Sequence, residues 1–133
     1  MASQGPLSPG SATTINLGGS VDWSNPTNIL TDNGSSASAI LDCQNSYALR
    51  ATNFGFTIPT GATIDGFVVE IKRGSSGGNV VDSGLCLLNN PSGSADSLAD
   101  GGTTWGTAQY VTYGSSTTKW ITGGVWTTAA INS

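Results

Sequence analysis

The chain has 133 residues and a net charge of −4 from four basic and eight acidic side chains. No basic patch exists to neutralise a phosphate backbone, so nucleic-acid binding is not expected. Histidine is absent, which removes the commonest general base and metal ligand and the triads that use it; no apolar run approaches the roughly 18 residues of a membrane span.

Only 9% of the residues are charged, against about 25% in an average soluble domain. Gly, Ser, Thr and Asn make up 64 of the 133, so the surface is polar through hydroxyls and amides rather than ions. Ten aromatics and several β-branched runs argue for a packed core rather than disorder. Residues 1–14 carry neither a basic flank nor an apolar core, so no signal peptide is expected.

Residues 1–18 are rich in Gly, Ser and Pro, and Pro6 and Pro9 forbid a helix or an interior strand there. They read as an extended arm. If the arm adds a strand to a neighbour, the two prolines limit pairing to Ser11, Ala12, Thr13, Thr14, Ile15, Asn16 and Leu17. Ser20–Trp23 and Asn28–Leu30 read as short extended pieces. Residues 31–36 form a loop around Asn33-Gly34, a tight-turn signal. Ser38–Cys43 and Tyr47–Thr52 read as strands, the second kinked at Asn53 or Gly55.

Ala51–Arg73 is the organising stretch. Phe54, Phe56 and Ile58 alternate with smaller or polar neighbours, and Pro59 and Gly61 suit a type I turn over Ile58–Gly61. Phe67, Val69 and Ile71 then alternate with Val68, Glu70 and Lys72. This is the period-2 pattern of an antiparallel sheet with one wet face. Val80–Leu88 is apolar on both faces and reads as a central strand. Residues 89–104 form a long polar loop in which Ser94–Leu98 suits one helical turn. Residues 105–113 contain a strand with Tyr110, Val111 and Tyr113, and Lys119–Ile121 and Val125–Trp126 are short apolar pieces. Thr128–Asn132 suits a helical turn closed by Asn132. Short strands with turn signals every 8–12 residues indicate an all-β fold, an antiparallel β-sandwich of jelly-roll-like kind. Its expected core is Phe54, Phe56, Phe67, Val69, Ile71, Leu85 and Leu87. Domain organisation is an arm at 1–18 and a sandwich at 19–133.

Cys43 and Cys86 have no metal-ligand spacing; two buried thiols or a disulfide between neighbouring strands are the readings. No pair among the eight carboxylates is marked as a catalytic dyad, and a calcium site at Asp96 and Asp100 has no EF-hand pattern behind it. Neither enzymatic activity nor a cofactor is expected. Trp120 and Trp126 are assigned to the core, while Trp105 and Tyr113 flank loops and are the candidate ligand-facing rings. Asn33-Gly34-Ser35 matches a glycosylation sequon, read as a chance match because no signal peptide is expected.

Four segments, residues 21–30 (VDWSNPTNIL), 49–73 (LRATNFGFTIPTGATIDGFVVEIKR), 79–88 (NVVDSGLCLL) and 103–120 (TTWGTAQYVTYGSSTTKW), resemble a recurrent β-sandwich domain of tailed-phage virion proteins. The shared pattern runs from Trp-Ser-Asn-Pro through Ala-Thr-Asn-Phe-Gly-Phe to Ile-Pro and a Gly-initiated amphipathic strand, in order over about residues 19–133. The resemblance implies a structural, non-enzymatic virion component with no catalytic residues to carry over. A single small domain with an arm suits a multicopy capsid decoration or cement protein on the particle surface. Its partners would be copies of itself and a major capsid or tail protein, with no membrane involved. The alternative is a tail or fibre module that recognises a host-surface glycan. Such domains continue past the equivalent of Trp126–Ser133 into a further strand with a Phe-Gly pair; the expectation is that either the sequence is short or that strand is supplied from elsewhere.

Overall fold

The computed structural model describes residues 2–88 and 94–132. The regular structure is β with little helix. The strands are β1 (Ser11–Ile15), β2 (Ala48–Thr52), β3 (Val68–Arg73), β4 (Ser94–Ala95), β5 (Gln109–Gly114) and β6 (Ile121–Thr122); a 3-10 helix spans Pro26–Leu30 and α1 spans Thr128–Ile131. The chain divides into two compact units, Met1–Ile58 with Asn132–Ser133, and Pro59–Ile131.

In the first unit β1 and β2 pair antiparallel, with Ser11 opposite Thr52 and Ile15 opposite Ala48. The arm therefore lies along its own chain. Ser11 Oγ shares a 2.7 Å hydrogen bond with Thr52 Oγ1. Gln4 donates from Nε2 to Thr57 Oγ1 and accepts from the Thr57 amide, both at 2.8 Å. The two short pieces expected at 20–30 differ from expectation. Val21 makes a lone parallel bridge with Ser46, and Pro26–Leu30 coils because Pro26 presets a helical φ at its first turn. Ser38–Cys43 holds only a bridge from Ser38 to Ser24. The kink after β2 is present, with Asn53 at φ 59° and Gly55 at φ 73°.

The stretch read as a hairpin is not one. Residues 54–58 carry no assigned strand, and β3 takes β5 as its antiparallel partner, from Val68 opposite Gly114 to Arg73 opposite Gln109. The turn also sits one residue later: the Ala62 amide donates to the Pro59 carbonyl at 3.1 Å. That places Gly61 at the third position with φ 83°, the signature of a type II turn. Only glycine adopts that φ without steric cost.

Among the described residues the buried apolar side chains, Tyr113, Trp120, Ile121 and Trp126, belong to the second unit. Trp120, 1% exposed, has a left-handed backbone at φ 58°, which is uncommon for a bulky residue. Its indole donates to the Phe67 carbonyl at 3.1 Å. Gly114 makes room for it, since a Cβ there would come within 2.6 Å of the indole nitrogen. Trp126 donates to the Lys119 carbonyl at 2.6 Å and packs edge-on against Phe67, centroids 5.3 Å apart. The core thus contains the two tryptophans assigned to it, while Phe54, Phe56, Phe67, Val69, Ile71, Leu85 and Leu87 are half-buried. Inward and outward residues alternate along β3 as its period predicts.

Residues 80–88 form no strand; Val80 and Leu85 each accept a single backbone bond, from Trp105 and Leu98. Val81 and Leu88 are exposed, so this segment is not the covered central strand that its apolar faces suggested. Ser94–Ala95 pairs with Ile121–Thr122 as a strand rather than starting a helical turn. Residues 89–93 of the polar loop lie outside the described residues. Thr128–Ile131 is helical as expected. Both cysteines are free and exposed, which corrects both readings of them.

Candidate functional site

Arg73, Asp82, Trp105 and Tyr113 meet in the second unit. The inward face of β3 runs Val69, Ile71, Arg73, so the alternation that buries two apolar residues also carries a guanidinium inward. Tyr113, opposite Val69 on β5, points to the same face, and Arg73 Nε donates to its hydroxyl at 2.6 Å. That hydroxyl donates onward to Asp82 Oδ2 at 2.7 Å. Asp82 Oδ2 also lies 3.6 Å from Arg73 Nη2, with the two side chains 8% and 7% exposed. The Trp105 indole donates to Asp82 Oδ1 at 2.8 Å, and the Asp100 amide to Oδ2 at 3.1 Å. The Arg73 guanidinium stands 5.0 Å from the centre of the Trp105 ring and 5.8 Å from that of Tyr113.

Every member of the cluster is satisfied, as burial requires. Two buried charges away from water cost several kcal/mol each unless their remaining donors and acceptors are met; here Asp82 takes three hydrogen bonds and an ion pair. Burial pushes the Tyr113 phenol above its ordinary value of 10.0, and Asp82 adds to the rise while Arg73 opposes it. The phenol therefore stays protonated at neutral pH and acts as a donor. Nearby, hydrogen bonds from the Thr103 side chain and the Gly102 amide hold the exposed Asp100 carboxyl below its usual value. The arrangement is a polar lock that pins residue 82 and the 100–105 loop to the β3–β5 sheet.

The two candidate ligand-facing rings are brought together by this lock, but neither is open as expected. Tyr113 is buried at 6% exposure, because its hydroxyl is the bridge between Arg73 and Asp82. Trp105 is half-buried, with the guanidinium over its ring. The sequence reading assigns no role to Arg73 or Asp82. The available signals were an arginine in the inward register of β3 and a lone aspartate inside an apolar run. Asp96 and Asp100 serve separate partners: Asp96 accepts from the Thr122 hydroxyl at 2.8 Å, and Asp100 accepts from the Gly102 and Thr103 amides. Among the described residues no three potential metal ligands converge.

Of the arm residues, Ser11–Ile15 are β1 itself, the Asn16 side chain accepts from the Gly18 amide at 2.9 Å, and Leu17 is 72% exposed. No protein-family model, curated protein or solved structure matches the chain.

Proposed function

We infer that this protein is a non-enzymatic structural component of a phage virion, a multicopy capsid decoration or cement protein that completes its fold by assembly. One observation carries the reading. Among the described residues of the first unit no side chain is buried, although Trp23, Leu41, Tyr47, Leu49, Phe54 and Phe56 are all half-covered and Ile40 is 89% exposed. An apolar set that reaches no full burial within its own chain lacks most of the roughly 1.5–3 kcal/mol available per large side chain. A partner surface supplies the missing cover.

The sheets point the same way. A lone two-stranded sheet is marginal in water, and each strand of β1–β2 has an outer edge that can template pairing with another chain. The jelly-roll-like sandwich expected from the sequence is then a property of the assembled protein. The motifs at 21–30, 49–73, 79–88 and 103–120 supply the phage assignment by resemblance. A glycan-recognition module is the weaker reading, because Tyr113 is covered and the guanidinium of Arg73 occupies a face of Trp105.

The test is to label purified particles with an antibody to this chain and to compare micrographs of particles with and without it. Regularly spaced density that disappears with the gene supports the assignment. Absence of the protein from purified particles overturns it.

A further inference from the structure

We propose that Asn33-Gly34 is a self-modification site, at which the folded loop converts Asn33 to aspartate and isoaspartate with loss of ammonia. The inference is independent of the assembly reading and rests on the local geometry of residues 31–36.

All six residues of the loop are exposed. Its flanks are pinned: Ser24 and Ser38 exchange backbone bonds of 2.8 and 3.1 Å, and Asn28 Nδ2 donates to the Ser36 carbonyl at 3.0 Å. Within the loop the Asn33 amide donates to the Thr31 carbonyl at 3.1 Å, and the Ser35 amide donates to Asn33 Oδ1 at 3.0 Å. Gly34 follows with φ 85° and open space where a Cβ would stand. The reacting groups are thus the Asn33 side-chain amide carbon and the Gly34 backbone nitrogen, one residue on and unshielded by a side chain.

The step balances as follows. The Gly34 nitrogen loses its proton to solvent base and attacks Asn33 Cγ, forming a C–N bond. Negative charge develops on Oδ1, where the Ser35 N–H already donates, in the manner of an oxyanion-stabilising donor. The Cγ–Nδ2 bond breaks, and Nδ2 takes a proton and leaves as ammonia, which closes a five-membered succinimide. Water then opens the ring at either carbonyl, giving aspartate or isoaspartate. Nothing is oxidised or reduced. The product places a new carboxylate beside Asp32, and the isoaspartyl form inserts a methylene into the backbone.

The test is incubation of the whole folded protein in mildly alkaline buffer, followed by peptide mass mapping with isoaspartyl detection. The Asn33 peptide is expected to convert ahead of those containing Asn16, Asn45, Asn53 and Asn79, faster as pH rises, and at least as fast as in urea-unfolded protein. Gly34→Ala and Ser35→Pro, the second removing the N–H donor, are expected to slow it in the folded chain. If Asn33 stays intact while the other asparagines convert, or if unfolding accelerates its conversion, the proposal is overturned.

Discussion

Asn132 holds both backbone hydrogen-bonding groups of Ile58: its Nδ2 donates to the Ile58 carbonyl and its Oδ1 accepts from the Ile58 amide, each at 2.9 Å. One side-chain amide does here what a paired strand residue would do, at the end of a segment that has no ladder of its own. Asn132→Ala leaves both groups to solvent. Because a typical net hydrogen bond contributes about 0.5–1.5 kcal/mol, the Ile58 amide is expected to exchange hydrogen at least several-fold faster, while amides in β5 keep their protection. Unchanged exchange at Ile58 would show that the clasp has no energetic weight.

The Arg73–Asp82–Tyr113 lock is a coupled unit. Asp82→Ala leaves a buried guanidinium without its counter-charge, a loss of about 3–5 kcal/mol. Tyr113→Phe removes the bridging hydroxyl and is expected to cost about 1–3 kcal/mol. The double variant should fall short of the sum, since residues sharing one network couple by about 0.5–3 kcal/mol. Chemical denaturation of the four proteins gives the cycle; strict additivity would mean that the hydroxyl and the carboxylate act separately.

The same residue sets an alkaline limit. The folded state raises the Tyr113 pKa above its ordinary value of 10.0, so the fold binds this proton more tightly than the unfolded chain does. The resulting stabilisation is fully present below the unfolded phenol's pKa and is lost as pH rises through the folded value. Melting temperature is therefore predicted to fall above pH ~10, and less steeply in Tyr113→Phe. Identical slopes in the two proteins would remove Tyr113 from the alkaline transition.

Burial separates two kinds of apolar residue. Trp120→Ala empties the most covered position among the described residues and is expected to cost about 3–5 kcal/mol. Val69→Ala, at a half-buried position, should cost about 1 kcal/mol, a fraction of the value for a fully buried side chain. Equal losses from the two would contradict a core centred on Trp120, Ile121 and Trp126.

Deleting residues 2–17 removes β1 and the Gln4 clasp, and it bares the edge of β2. An uncovered edge invites association, so the truncated protein is predicted to gain mass in light scattering and to melt earlier. If it keeps the same mass and melting temperature, β1 neither shields the edge of β2 nor supports the fold.

What the sequence by itself determined are the local features. The alternation in residues 68–73 sets which side chains of β3 face inward. Asn53 and Gly55 bend the chain after β2 and Thr128–Ile131 forms its helical turn, whereas Pro26–Leu30 coils into a 3-10 turn where an extended piece was expected. Each depends on dihedral preferences or a two-residue period carried within a few neighbours. Tertiary structure alone decided the pairing. A period of 2 says which way a side chain points but not which strand lies alongside, so β3 joins β5 across a long intervening segment instead of folding back on residues 54–58. It also decided the lock. Asp82, nine residues on, pairs with Arg73 directly, but the hydroxyl that bridges the two comes from Tyr113, 40 residues beyond Arg73, and a further donor comes from Trp105. A charge placed inward by strand alternation is tolerable only when distant chain brings donors and acceptors to meet it, and that convergence is a property of the fold.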